Sequence, residues 1–386
     1  MHVAVLRLSL ESLMGLIPRR LVFASSLWVT AASASLVSGC SSVEYYWQGI
    51  RGQLDLMQHA QPIPVVIDSA TDSNLKGKLE RVLAIRDFAS RELGLPDNRS
   101  YRSYADIGRR FVLWNVFAAP PLSLEPRQWC FPIAGCVNYR GYFEERDARA
   151  ESETLAKKGD DVHVGGVPAY STLGYFDDPM PSTVIRYPET DIARLIFHEL
   201  AHQVVYVKDD TVFNESFAVA VEEEGVRRWL AAQHDPALGL QFAASQKYRE
   251  GFRRLIERTR ARLTSLYASH TTDAEKLAGK AAAFAVMRAD YDALKQEWGG
   301  FGAYDYWFAQ GPNNASIAAV GIYSQKVPLF QALLAAEGGD LKRFYARVKT
   351  LAALPKRERD SALAAYRPAA PLEKVSGLSA ESSLGN

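Results

Sequence analysis

The apolar residues of this 386-residue chain follow two different spacings. Over residues 75–94 they recur every three to four positions, which predicts a helix with one buried face. From about residue 101 to 190 they come instead in short runs with Tyr, Val, Phe, Gly and Pro, such as "VLWNVFAAPP", "CVNYRGYF", "AYSTLGYF" and "STVIRYP". Such runs predict short strands joined by turns, with one charged helix in "EERDARAESETLAKKGDD" among them.

The helical spacing returns after about residue 191 and continues to about residue 355. It includes two long amphipathic helices, predicted over residues 240–268 and 273–297. A strand-rich block followed by a helical block indicates an α+β fold. We expect one domain over residues 40–355, and a disordered Ser/Ala/Pro-rich tail over residues 356–386.

The first forty residues have the order of a bacterial export signal. Arg19 and Arg20 precede the run "LVFASSLWVTAASASLVSGC", which is too short and too serine-rich for a comfortable membrane span. The run ends in Val37-Ser38-Gly39-Cys40, which resembles the lipobox of bacterial lipoproteins. We expect residues 1–39 to be a signal peptide and Cys40 to carry the lipid anchor. The alternative is an ordinary secretory signal with a chance cysteine.

The net charge of the chain and its predicted cellular location indicate which partners it can have. The formal net charge is +1, and it becomes −1 without residues 1–39, which carry a net +2. With no basic excess and no Lys/Arg run, nothing argues for nucleic-acid binding. Ser41 rather than Asp follows the lipobox cysteine, which favours the outer membrane, facing the periplasm.

The two remaining cysteines are Cys130 and Cys136, separated by five residues that include Pro and Gly. In an oxidising periplasm this spacing predicts a small disulfide loop. A metal site there is the weaker interpretation, because no second Cys or Cys/His pair completes a tetrahedron.

The sequence "IFHELAHQVVYVKDDTVFNESFA" carries the candidate chemistry. On a helix, residues four apart share one face, so that His198 and His202 can bind one zinc ion. Glu199 is one step round the helix and can reach a metal-bound water, which suits a general base. The alternative is a histidine pair of the core or surface, but two histidines and a carboxylate on a mostly apolar helix are costly to bury without a partner.

Several residues compete for the third ligand. Val205 and Lys208 exclude the metzincin pattern, which has Gly and His or Asp at these two positions. Asp209 shares a face with His202 but would lie about 10 Å along the axis if the helix continued. A turn at 209–211 would bring Glu215 back to the metal in a helical hairpin. Glu222, two helical turns further on, is the fallback ligand or a hydrogen-bond partner of a histidine.

Two histidines and a glutamate with an open fourth position are typical of a catalytic zinc site. A peptidase with such a site also needs a group that stabilises the oxyanion. Tyr323 is our candidate, and a tyrosine packed between helices is an equally good interpretation of it.

At these residues the chain resembles the gluzincin metallopeptidases, in which His-Glu-x-x-His is followed by a helix with a zinc-binding Asn-Glu pair. The mature chain is also similar to a family of bacterial lipoproteins described as aminopeptidases, in segments such as "VLWNVFAAPPLSLEPRQWCFPIAGCVNYRGYF", "LIFHELAHQVVY" and "PNNASIAAVGIY". The resemblance implies a zincin-like helical half, with His198, His202 and Glu215 as zinc ligands and Glu199 as base.

The resemblance does not show which end of a peptide the protein cleaves, because the Gly-x-Met-x-Asn segment of the large aminopeptidases is missing. We expect a zinc aminopeptidase acting on peptides, with Asp177 and Asp178 as candidates for binding the free amine. Either "YRGYF" or "AYSTLGYF" could align a peptide as an edge strand. The alternatives are a zinc endopeptidase of the cell envelope and a non-catalytic, metal-binding assembly lipoprotein.

Overall fold

The computed structural model describes residues 45, 47–131, 135–321 and 326–366. The chain divides into two compact units, with the boundary after Val327. Small sheets lie in the N-terminal half and helices dominate the rest, so the predicted α+β class is confirmed. None of the helices in the described ranges is long and apolar enough to span a bilayer.

The N-terminal half contains eight strands and the first five helices of the described chain. A helix over 47–58 is α1. The other helices are α2 (Ile63–Ser69), α3 (Ser73–Arg91), α4 (Glu145–Lys157) and α5 (Ser182–Ile185). The strands are β1 (Ala60–Pro62), β2 (Ser103–Ala105), β3 (Leu113–Ala119), β4 (Trp129–Phe131), β5 (Gly135–Val137), β6 (Arg140–Tyr142), β7 (Asp161–Val167) and β8 (Met180–Pro181).

The largest sheet has the order β6-β3-β7, with antiparallel pairing throughout. Side chains alternate between its faces, as the strand period requires. Val116 and Ala118 pack with α4 residues on one face, whereas Phe117 and Ala119 pack with Ala315 on the other. Two smaller sheets, β1-β2-β8 and the hairpin β4-β5, are separate from this largest sheet.

Helix α1 covers the free edge of β6. The Gly141 N–H donates to the Tyr45 hydroxyl, and Gln48 Nε2 donates to the Gly141 carbonyl. The Phe143 N–H donates to Gln48 Oε1. These side chains satisfy the edge that the "YRGYF" segment would offer to a peptide, so β-augmentation there would require α1 to leave.

After α5, the described part of the chain contains helices and no strand. In the first unit they are α6 (Glu189–Val204), α7 (Thr211–Gln233), α8 (Pro236–Tyr267), α9 (Asp273–Glu297), α10 (Asp305–Ala309) and α11 (Asn314–Gly321). Thr272 caps α9 through a reciprocal capping box with Glu275. Helix α12 (Val327–Ala336) begins at the boundary, and α13 (Leu341–Ala352) packs against α14 (Lys356–Ala364) in the second unit.

Three segments differ from the sequence-based predictions. "AYSTLGYF" forms a turn rather than a strand, because Leu173 and Gly174 adopt positive φ and Asp178 accepts hydrogen bonds from Thr172. "STVIRYP" contains the short helix α5 after the two-residue strand β8. The segment expected to be a disordered tail begins with α14, which buries Arg359 and Leu363.

Candidate metal centre

Helix α6 presents the two histidines and the glutamate from one buried element. Glu199 and His202 are buried and His198 is half-buried. Ile196, Phe197 and Leu200 are fully buried and fix the rotation of the helix about its axis. The polar triplet is therefore held by the apolar packing of its own helix.

The turn between α6 and α7 returns the chain to the histidines. Helix α6 ends at Val204, and Asp210 caps α7 by accepting from the Phe213 N–H. Asn214 then clamps the connection: its Nδ2 donates to the Val207 carbonyl at 2.7 Å, and its Oδ1 accepts from the Val207 N–H at 2.8 Å. Glu215 follows Asn214 directly, so this clamp fixes the point at which the Glu215 side chain leaves the backbone of α7.

The structure brings His198, His202 and Glu215 together, with their ligand atoms within 4.8 Å of one another. The two Nε2 atoms lie 3.1 Å apart, and Glu215 Oε2 lies 3.2 Å from His198 Nε2 and 3.8 Å from His202 Nε2. A tetrahedral zinc ion with bonds of about 2.1 Å sets its ligand atoms about 3.4 Å apart. The donor set and its spacing therefore fit zinc.

Glu222 takes the second of its two predicted roles. Its Oε2 lies 2.9 Å from His198 Nδ1, whereas its Oε1 accepts from Arg194 Nε at 3.0 Å and also from Arg194 Nη2. A carboxylate on Nδ1 fixes the tautomer that directs the Nε2 lone pair towards a metal. Arg194 in turn holds this carboxylate, so the three residues form a hydrogen-bonded chain that ends at His198.

The electrostatics of the cluster favour a cation. Burial lowers the pKa of His198, but hydrogen bonds and charges of Glu215 and Glu222 outweigh it and raise that pKa to about 10. Burial likewise opposes ionisation of Glu215, yet His202 and His198 lower its pKa to about 2. The carboxylates thus stay ionised and hold positive charge between them, either a proton or a metal ion.

Glu199 differs from the other two glutamates of the cluster. It is 6% exposed, and within the described part of the chain its Oε2 atom is buried without a hydrogen-bond partner. Burial is the largest cause of a raised pKa for this carboxyl. A buried carboxylate oxygen without a partner needs a water or substrate group to satisfy it, and this suits a general base.

Close helix packing supports the site from behind. At Gly225 of α7, a Cβ atom would lie only 2.6 Å from the Phe197 ring and 2.9 Å from Leu93. Phe88 of α3 contacts Phe197 at a centroid distance of 6.2 Å and Trp229 at 5.1 Å. The glycine therefore lets α7 approach α6 closely enough for its glutamates to reach the histidines.

The structure describes the two cysteines of the predicted disulfide but not the predicted oxyanion and lipidation residues. The Cys130–Cys136 disulfide is confirmed, and the Cys136 N–H donates to Oδ1 of Asp209 in the turn between α6 and α7. Tyr323 and Cys40 lie outside the described residues.

The two aspartates proposed for amine binding have other contacts. Asp178 is 3% exposed and accepts from Thr172, and burial raises its pKa to about 7. Asp177 forms an exposed ion pair with Arg99. The hydrogen bonds of Asp178 stabilise the turn, whereas Asp177 pairs with a residue 78 positions away in the sequence.

A family model described as "Putative aminopeptidase" matches the chain over residues 44–363. The chain belongs to this family. The match supports a peptidase at the level of the family and implies a peptide substrate. Comparisons with curated proteins and with solved structures find no match.

Sequence reasoning missed two residues that shape the centre. Arg194 lies four residues before His198, and the same helical period that paired the histidines could have placed it on their face. Asn214 precedes the predicted ligand Glu215, but nothing in the sequence says that its amide binds the backbone at Val207. Arg194 holds Glu222, which contacts His198, and Asn214 holds the turn that precedes Glu215.

Proposed function

We propose that the protein is a zinc-dependent peptidase and, more specifically, an aminopeptidase. The observation that carries the proposal is the triangle of Nε2, Nε2 and Oε2 atoms from His198, His202 and Glu215, at separations that suit one tetrahedral ion. Family membership supplies the peptide substrate. Three protein ligands leave one position for water or substrate, which is the arrangement of catalytic rather than structural zinc.

Each residue of the cluster has a distinct task. His198, His202 and Glu215 would hold the ion, and Glu222 orients the His198 ring through Nδ1. A bound zinc ion lowers the pKa of water towards about 7 and polarises a carbonyl group. Glu199 accepts the proton of the attacking water at Oε2, which has no hydrogen-bond partner among the described residues, and passes it to the nitrogen of the leaving amine.

The direct test is Glu199→Gln, with Glu297→Gln at an exposed glutamate on α9 as the matched control. Because the variant keeps all three ligands but removes the base, we expect kcat to fall by about 10²- to 10⁴-fold. Zinc content, measured by elemental analysis, should stay at one ion per chain. Unchanged hydrolysis with zinc still bound would show that Glu199 is not the base, and absence of bound zinc would refute the metal assignment.

Aminopeptidase activity is tested by pairing each peptide with its N-acetylated form. An aminopeptidase requires the free amine, so acetylation should abolish cleavage and products should appear from the N-terminus inwards. Equal rates for the two forms, or internal cleavage, would identify an endopeptidase instead.

We further propose that the protein works in the bacterial cell envelope, anchored by a lipid on Cys40 and facing the periplasm, with the outer membrane favoured. The lipobox-like Val37-Ser38-Gly39-Cys40 supports this location, and so does the Cys130–Cys136 disulfide, since disulfides persist in oxidising compartments. Mass spectrometry of the mature N-terminal peptide should find a diacylglyceryl-modified Cys40. An unmodified N-terminus cleaved elsewhere would refute the anchor.

A further inference from the structure

The outer face of α1 combines aromatic, aliphatic and basic side chains. Trp47, Arg51 and Leu54 lie at positions i, i+4 and i+7, so they share one face of the helix. Trp47 and Leu54 are each 53% exposed, and the Arg51 guanidinium stacks over the Trp47 ring at 5.1 Å. Helices that lie at a membrane–water interface carry this combination, because the rings and alkyl stems enter the lipid while the charges stay in water.

A cavity of about 930 Å³ opens beside this face, and Trp47 and Arg51 contribute to its wall. Arg109 also lines it, with Nε and Nη2 both buried and, within the described residues, without a hydrogen-bond partner. Asp55 Oδ2 is 3.7 Å from Arg109 Nη2, too long for a hydrogen bond. The Arg109 side chain as a whole is 24% exposed and lines the cavity, and a guanidinium whose donors are unsatisfied among the described residues is suited to a phosphate group.

The far wall is also basic, but acids balance it. The Arg140 guanidinium lies over the rings of Tyr45 and Tyr142, at 4.4 and 5.6 Å, and its Nε is likewise buried without a hydrogen-bond partner in the described chain. The cavity is lined by four arginines (Arg51, Arg109, Arg140 and Arg146) and four acids (Asp55, Glu144, Asp147 and Glu151). Arg140 and Arg146 each lie 3.4 Å from an acid, Glu151 and Asp147 respectively, and the other two arginines and two acids keep the balance. This balance suits a zwitterionic group, whose phosphate meets a guanidinium while its ammonium meets a carboxylate.

The position of α1 in the chain identifies the source of such a group. The apolar run at residues 21–37 precedes it, and only five peptide links separate Cys40 from Tyr45. Five residues span at most about 18 Å, so any membrane attachment through Cys40 or this run holds α1 near the lipid surface. A phospholipid headgroup is then the zwitterion at highest local concentration.

We propose that the outer face of α1 docks on a phospholipid membrane, with a phosphoethanolamine headgroup bound against Arg109 in the adjoining cavity. The proposal goes beyond peptidase activity and rests on the membrane attachment proposed above. Docking would fix the orientation of the domain on the membrane, whereas a lipid tether alone leaves the domain free in water.

The test measures how deeply α1 enters the membrane. Leu54→Cys in the full-length chain is labelled with a nitroxide and mixed with vesicles of phosphatidylethanolamine and phosphatidylglycerol. Leu240→Cys, at a 74% exposed leucine on α8, is the matched control, and unsubstituted chain measures any labelling of Cys40. We expect the label at 54 to be relaxed more by oxygen than by a water-soluble nickel chelate, and the label at 240 to show the reverse.

A label at 54 that is as accessible to the chelate as the label at 240 would overturn docking, whether or not a lipid holds the chain on the vesicle. Immersion is judged from the label alone, so it is independent of peptidase activity and of the state of Cys40. Mass spectrometry of Cys40 on the same sample separates failure of docking from failure of the anchor.

Headgroup binding is tested by Arg109→Gln in the labelled chain, with Arg253→Gln on the exposed part of α8 as the charge-matched control. Immersion at 54 should be lost with the first variant and kept with the second. Vesicles of phosphatidylglycerol alone provide a test that needs no variant: they should immerse the label less than vesicles that contain phosphatidylethanolamine. Equal or deeper immersion on pure phosphatidylglycerol would overturn the zwitterionic headgroup and leave only charge attraction.

Discussion

Two helical hairpins of the first unit, α6–α7 and α8–α9, have the same form, but α6–α7 buries ionisable side chains among its apolar ones. The first buries Glu199, His202, Glu215 and Glu222 between its helices and their neighbours. The second buries almost only apolar and aromatic groups, among them Leu255, Leu263, Met287 and Tyr291 with Phe252 and Phe308. The same hairpin form can therefore carry either the candidate metal centre or part of the apolar core.

The charged hairpin needs compensation that the apolar one does not. Each buried carboxylate loses hydration, and only specific partners restore that free energy. Glu222 has Arg194 and His198, and Glu215 has the two histidines, but Oε2 of Glu199 has no hydrogen-bond partner among the described residues. The cost of burial that hydrogen bonds among the described residues do not offset therefore falls on the group proposed as the general base.

The largest expected effect is on the metal. Glu215→Ala removes one of the three proposed zinc ligands, so we expect zinc binding to be lost and added zinc to leave the melting temperature unchanged. Glu222→Ala removes only the partner of His198 and should weaken zinc binding by about 10- to 100-fold. Calorimetric titration of the two variants distinguishes them. If Glu222→Ala loses zinc and Glu215→Ala keeps it, the roles of the two glutamates must be exchanged.

The next effect is on the apolar hairpin. Phe308 is 1% exposed and stacks on Tyr291 at a centroid distance of 4.1 Å. Phe308→Ala should lower the free energy of unfolding by about 3–5 kcal/mol, because it leaves a cavity in the core. Zinc affinity of the remaining folded protein should not change. A parallel loss of zinc affinity would show that the two hairpins are coupled and would break the comparison.

The smallest effect concerns the packing of α7 on α6. Gly225→Ala should destabilise the protein by about 1–3 kcal/mol, since overpacking against Phe197 outweighs the gain in helix propensity. Gly77→Ala on α3, where nothing lies within 4 Å of the added Cβ, should instead stabilise by about 0.5–1 kcal/mol. Urea unfolding measures both. A stabilising Gly225→Ala would show that Phe197 yields easily and that close approach is not needed there.

The helices α8 and α9 were predictable from their long, regular apolar periods, and the strand β3 from its short apolar run. Residues 169–176 were not, because their Tyr, Leu and Phe residues favour a strand while the left-handed Leu173 and Gly174 turn the chain. Helix α14 was missed because its composition is polar, and only the burial of Arg359 and Leu363 reveals that it is packed. The local sequence pattern does not predict the conformation of a segment where contacts with other parts of the fold determine it.

The same division applies to the candidate centre. The sequence by itself places His198, Glu199 and His202 on one helix, because spacing along a helix fixes which side chains share a face. It also leaves Glu215 and Glu222 on a common face, since seven residues are almost two full turns. Only the tertiary structure separates their roles: the Asn214 clamp and the close approach at Gly225 set the offset of α7 along α6, so that Glu215 meets Nε2 and Glu222 meets Nδ1.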